Sequence, residues 1–226
     1  MEFGLMMQML GEGFIVTLEV FGLTLLGALP LGLVVAFLRM SKVGFTIKGK
    51  RICPLSLLAQ FYISILRGTP LMLQLFVVYF SPYYIFGVSL SDTWRFGATI
   101  IAFILNYAAY FAEIYRSGIQ SVPKGQYEAA EVLGYTRAQS FFKIILPQVV
   151  KRIIPPMTNE IITLVKDTSL AFAIGCAEMF TVAKSIVAST REMWAFLASA
   201  IFYYVFNLLM TFIMNRVEKK LDYYHD

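Results

Sequence analysis

Glu128-Ala129-Ala130, then three residues, Gly134, nine residues and Ile144-Ile145-Leu146-Pro147 form the stretch that decides how this chain is read. It lies in a long basic loop, about residues 116–152, of an otherwise strongly apolar sequence. A polar segment of this kind has no reason to settle in lipid. Pro123 stands where a first-turn proline is tolerated, Gln126 to Leu133 is good helix sequence, and Gly134 is a natural helix stop. Thr136 and Gln139 have the spacing of a capping box for a second helix. Its apolar residues Ala138, Phe141, Phe142 and Ile145 recur on one face, and Pro147 is expected to end it. Two short helices at a sharp angle follow. The second is expected to hold the pair against the membrane helices while the first displays Glu128, Ala129 and Ala130. Small alanines allow close approach, and the carboxylate can meet basic or amide groups. Two destinations stay open: a helical hairpin packed on its own protein, or a surface docked on a partner.

Outward from this loop the chain is hydrocarbon-like. Of 226 residues, 58% are apolar and 15% aromatic, and the mean hydropathy is +0.70, far above a soluble domain of this size. Runs long enough for about 30 Å of hydrocarbon occur near Gly13 to Leu38, Leu71 to Phe86, Phe96 to Tyr115, Ile153 to Gly175 and Trp194 to Asn215. The expected fold is all-α, an integral membrane protein of five transmembrane helices with residues 1–226 as a single domain. The second run reads back to about Leu55, too long for one span, and Arg67-Gly68-Thr69-Pro70 interrupts it. Leu55 to Leu66 is therefore expected at or just inside one membrane face, with Arg67 at a break near the interface.

Lys and Arg orient the array. Arg39, Lys42, Lys48, Lys50 and Arg51 fill one loop, and Arg116, Lys124, Arg137, Lys143, Lys151 and Arg152 another. The opposite side carries only Arg95, Lys184 and Arg191, with five acidic residues. A cytoplasmic C-terminus and an external N-terminus follow, and the net charge of +5 reads as a topology signal, with no nucleic-acid partner. The first apolar stretch lacks the basic start of a cleavable signal peptide. Cys53 and Cys176 fall on opposite sides, which excludes a bridge and leaves both as apolar filler. The lone histidine, His225, sits in the tail.

Ionisable residues at membrane depth tend to mark function. On the fourth span, with Glu160 at zero, Asp167 falls at about 340°, Thr163 at about 300°, Asn159 at about 260° and Lys166 at about 240°. With entry near Ile153, Glu160 lies roughly 10 Å deep and Lys166 roughly 20 Å, bracketing the midplane. Such a stripe suits a water-filled cavity between protomers, with Glu160 attracting an α-ammonium or a cationic side chain. It equally suits helix–helix ion pairs and hydrogen bonds without a ligand. On the third span Asn106, Tyr110 and Glu113 share a face, with Glu113 paired locally to Arg116. On the second, Gln60, Ser64 and Arg67 share one, with Gln74 close by, and a structural role is expected for Arg67.

The spacing of Glu128-Ala129-Ala130, Gly134 and Ile144 to Pro147 resembles the E-A-A, G, I-x-L-P signature of ABC importer permease subunits, and every named position matches. Arg67-Gly68-Thr69-Pro70-Leu71, Asn106 to Tyr110, Glu113 to Arg116, Ser121 to Gln126 and Lys166 to Leu170 resemble its polar amino-acid branch. The resemblance implies a type I importer permease in a bacterial cytoplasmic membrane, its E-A-A helix with Gly134 seated on a cytoplasmic ATPase dimer. It implies a second permease protomer, an extracytoplasmic solute-binding protein and an amino-acid cargo, with lipid around the whole. No cofactor is expected on this chain; ATP and magnesium belong to the partner ATPase. Gly44-Phe45-Thr46-Ile47-Lys48-Gly49-Lys50-Arg51 mimics a P-loop but ends in Arg51 where Ser or Thr must hold magnesium. Two rival classes have discriminating features. A secondary transporter would carry inverted repeats, and an intramembrane enzyme would carry metal ligands, an Asp pair or a nucleophile elbow. Neither set is seen.

Overall fold

The computed structural model describes residues 2–47 and 50–221. Three helices are each long and apolar enough to cross a membrane: α1 (Phe3–Met40), α4 (Asp92–Gln120) and α9 (Trp194–Leu221). Two bent pairs supply the remaining spans. One is α2 (Pro54–Gly68) with α3 (Leu71–Phe86), bent by 111°; in the other the helical run Arg137–Ile174 meets α8 (Met179–Thr190) at 52°. That run consists of α6 (Arg137–Ser140), a π-helical turn at Phe141–Ile145, α7 (Leu146–Asp167) and a 3₁₀ segment at Thr168–Ile174. The loop helix α5 covers Lys124–Val132, and two three-residue strands, β1 (Phe45–Ile47) and β2 (Lys50–Ile52), form an antiparallel hairpin. Five spans therefore stand, as expected. His225 lies outside the described residues.

The centre is the contact between α1 and α4. A Cβ on Gly32 would sit 2.9 Å from Phe111 Cβ and 3.0 Å from the Ala108 carbonyl oxygen. Ala28 and Ala36 of α1, and Ala108, Ala109 and Ala112 of α4, are wholly buried. Lipid is as apolar as leucine, so helices gain by close backbone approach through small residues rather than by escaping water.

The break between α2 and α3 is closed by side chains, because uncapped carbonyls are costly inside hydrocarbon. Gln74 Nε2 donates to the Leu66 carbonyl (2.9 Å), the Thr69 carbonyl (3.0 Å) and Thr69 Oγ1 (2.9 Å). Asn106 Nδ2 donates to the same Leu66 carbonyl (3.1 Å) and to Gln74 Oε1 (3.0 Å), and Tyr62 Oη to the Leu105 carbonyl (2.6 Å). Asn106 stands fourteen residues from either end of α4, so the break is level with the middle of that helix. This corrects the expectation of Leu55 to Leu66 resting at a face and of Arg67 near the interface. α2 starts beside the end of α1, where Arg39 and Ser56 bond, and reaches inward because α2 and α3, about 22 and 24 Å long, are each too short to cross alone.

Candidate functional site

Two places concentrate the residues singled out above. In the loop, α5 runs to Val132 and Gly134 takes a left-handed φ of +75°. There the Gly134 N–H donates to the Glu131 carbonyl and the Tyr135 N–H to the Ala130 carbonyl, each at 3.0 Å, the reverse turn that glycine permits. The Thr136–Gln139 capping box forms in full. Ala130 is buried, whereas Glu128 and Ala129 face outward with Val132 and Leu133 strongly exposed at 88% and 73%. Gln148 Nε2 donates to Gln126 Oε1 at 3.3 Å, which ties α5 to α7, and the Arg152 guanidinium donates to the Ser121 carbonyl at the end of α4.

Pro147 does not end the second helix. In the π turn the Leu146 N–H reaches back to the Phe141 carbonyl, and Pro147 enters the first turn of α7, where its missing N–H costs nothing. The helix therefore runs unbroken from the loop into the fourth span. The extra residue of the wide turn also splits the expected apolar stripe. Ile145 is buried and Phe141 packs on the core, while Ala138 and Phe142 are exposed.

The second place is a cavity of about 440 Å³ between α4, α7, the 3₁₀ segment and the start of α3. Glu160, Thr163 and Asp167 line it from α7, Asn106, Tyr107 and Tyr110 from α4, and Thr69, Pro70 and Leu71 from the break, with Leu170 beyond. Asp167 Oδ2 accepts from Tyr107 Oη at 2.8 Å. The Arg67 guanidinium lies over the Tyr110 ring at 5.1 Å and within electrostatic range of Glu160. Arrayed like this, the cavity offers two carboxylates, hydroxyls, one amide and aromatic rings to a small polar solute.

The five residues of the α7 arc part company. Glu160, Thr163 and Asp167 share the cavity, Lys166 borders a separate cavity of about 430 Å³ with Phe180, Phe196 and Tyr203, and Asn159 is exposed outside both. Asn159 and Lys166 stand at the far edge of the arc, where roughly 100° of rotation carries a side chain to another neighbour. Glu113 and Arg116 form the expected local ion pair. Cys53 and Cys176 are both free thiols.

Residues 28–223 match the family of binding-protein-dependent transport system inner membrane components. The chain belongs to that family. It is 37% identical to the L-cystine transport system permease protein TcyB of Bacillus subtilis, over 95% of this chain and 87% of that one. It is 36% identical to the arginine transport system permease protein ArtQ of the same organism, over 93% and 91%. A crystal structure of an amino acid ABC transporter with histidines superposes with a TM-score of 0.83 at 32% identity, covering 97% of this chain and 99% of that one. The inward-facing MetNI methionine ABC transporter shares the fold, at a TM-score of 0.70 and 18% identity over 98% and 99%. The permease thus has the type I ABC importer fold and is a multi-pass membrane protein.

Membership sets aside the secondary-transporter and intramembrane-enzyme classes. The P-loop mimic of the permease falls instead on a hairpin: Thr46 pairs with Arg51 across β1 and β2, where a phosphate loop would join a strand to a helix; Lys48 and Gly49 lie outside the described residues. Sequence reasoning named Asn106 and Tyr110 but missed Tyr107, the partner of Asp167. It also missed Glu178, which caps α8 by accepting from the Phe180 and Thr181 N–H groups (both 2.7 Å) and receives Tyr203 Oη at 2.9 Å. For Glu178 the signal was present: an acidic residue three before Thr181, just past Gly175. For Tyr107 there was none, since an apolar face conceals a tyrosine.

Proposed function

We propose that this permease carries polar amino acids inward across a bacterial cytoplasmic membrane, with basic ones favoured, driven by ATP hydrolysis on a partner subunit. The cavity that gathers Glu160, Thr163 and Asp167 with Asn106 and Tyr110 carries the reading, supported by relatives named for cystine and arginine. Glu160 attracts the α-ammonium or a cationic side chain of the cargo. Asp167, engaged by Tyr107, shapes the wall, and Asn159 and Lys166 serve the same pathway from its margins.

Glu128, Ala129 and Ala130 of α5, with Gly134 as the turn behind them, seat in an ABC ATPase dimer. Because the chain is helical from Arg137 into α7, a pull on α5 passes through the Gly134 turn and then along one rod to the residues of the cavity. Closure of the ATPases then switches the permease from inward- to outward-facing, where a solute-binding protein delivers cargo. Residues 1–226 act as one domain beside a second permease protomer, with the N-terminus outside and the C-terminus in the cytoplasm. ATP and magnesium are bound by the ATPase alone.

Uptake of labelled arginine, lysine, histidine, glutamine and cystine into proteoliposomes holding permease, ATPase and binding protein tests this. Uptake dependent on ATP and on the binding protein is expected, and it should collapse in Glu160→Ala. Unchanged uptake and substrate preference in Glu160→Ala would sink the assignment of Glu160.

A further inference from the structure

The hairpin between α1 and α2 is unused by the transport reading. We propose that it is a binding surface for the headgroups of anionic phospholipids. Residues 20–91 contain no Asp or Glu, yet Arg39, Lys42, Lys48, Lys50 and Arg51 crowd into thirteen positions of that span. Among the described residues, no carboxylate forms an ion pair with Lys42 or Arg51, and both are exposed.

The segment is built rather than loose. Arg51 Nη2 donates to the Lys42 carbonyl at 2.8 Å, which gathers the two cations at the mouth of the hairpin. A Cβ on Gly44 would lie 1.9 Å from the Ile52 carbonyl oxygen, so only glycine lets the strands close there. Phe45 pairs directly with Ile52 and Thr46 with Arg51, which puts the apolar pair on one face and Arg51 on the other. Phe45 is 53% exposed and Val43, just before it, 72%.

Connectivity fixes the level. The last nineteen residues of α1 before Arg39 are uncharged, α1 ends at Met40, and Arg39 bonds Ser56 at the entry of α2. The hairpin therefore sits where the apolar span gives way to charge. An apolar face with a cationic reverse, held at that level, fits an anionic headgroup layer, with Phe45 dipping toward the acyl boundary. An ATPase is the poorer occupant, because the exposed apolar end of α5 offers it a separate seat and the two strands pack chiefly on each other.

The test uses the permease–ATPase complex in nanodiscs, where both leaflets share one composition and the result is independent of orientation. A fluorophore is introduced by Phe45→Trp, and the signal of Trp94 and Trp194 is subtracted with the unsubstituted complex. Phosphatidylglycerol brominated on its chains should quench more strongly than brominated phosphatidylcholine at equal mole fraction. That preference should fall about fivefold for each cation removed in Lys42→Gln and Arg51→Gln, and should fade at high salt as screening shortens. Gly44→Ala, which keeps every charge, should weaken quenching too. Equal quenching by both lipids, no quenching until the ATPase is removed, or full preference retained in Gly44→Ala would each overturn the proposal.

Discussion

Tyr107 Oη donates to Asp167 Oδ2 at 2.8 Å, joining the middle of α4 to the last residue of α7. This one bond joins two residues that line the same cavity as Glu160. Tyr107→Phe leaves the carboxylate without its donor, which costs about 1–3 kcal/mol. The expected result is a thermal midpoint of the purified complex lower by several degrees, with Tyr107→Phe/Asp167→Asn recovering much of the loss because no charge is then stranded. Differential scanning fluorimetry of the unsubstituted complex and the two variants reads it.

Glu128 is exposed, so its removal should leave the permease folded and act only through its partner. Glu128→Ala is expected to cut uptake by more than about tenfold, the loss of one charge-assisted contact, while the ATPase continues to hydrolyse ATP. Parallel uptake and phosphate-release measurements would reject this if the two rates fell together.

Gly134 holds a left-handed φ of +75°, a conformation that costs a residue with a Cβ roughly 1–2 kcal/mol. With open space around that position, the cost is conformational and not steric. Gly134→Ala should loosen the angle between α5 and α6, raise amide hydrogen exchange across Lys124–Val132 and lower transport, with Gly134→Asn milder. Equal exchange in all three proteins would show that the turn is not strained.

Glu160→Gln keeps the shape of the cavity lining but removes its charge. Uptake of basic amino acids should fall by about tenfold or more, as for a lost charge-assisted hydrogen bond, and uptake of neutral polar ones by less. A uniform loss across all cargoes would assign Glu160 to structure instead.

Gln74 spans the α2–α3 break with three donated hydrogen bonds. Gln74→Leu removes the side-chain donor to the Thr69 carbonyl and one of the two side-chain donors to the Leu66 carbonyl near mid-membrane, and is expected to destabilise by about 1–3 kcal/mol. Yield of folded complex in detergent measures it, with Asn106→Ala expected to lose less because Gln74 still donates to both the Leu66 and Thr69 carbonyls.

Much of this protein was readable along the chain. Hydropathy located the spans because a helix in lipid must be apolar over a fixed length, and the cap at Thr136–Gln139 and the stop at Gly134 are local chemistry. The second loop helix does not end at Pro147, against the local signal. Sequence shows that a proline lacks an N–H, but not that a wide turn has already made that N–H unnecessary.

The α7 stripe marks the same boundary. Periodicity put Asn159, Glu160, Thr163, Lys166 and Asp167 on one broad arc; only packing against α4 and the α2–α3 break gave Glu160, Thr163 and Asp167 a common cavity and left Asn159 and Lys166 elsewhere. The sequence by itself determined a multi-span membrane protein with a specific polar loop, since length, polarity and caps act over a few residues. The tertiary structure decided where the second span breaks and which donor Asp167 meets. Those depend on Gln74 with Leu66, Asn106 with Gln74 and Tyr107 with Asp167, pairs that span 8 to 60 residues and meet only when helices approach.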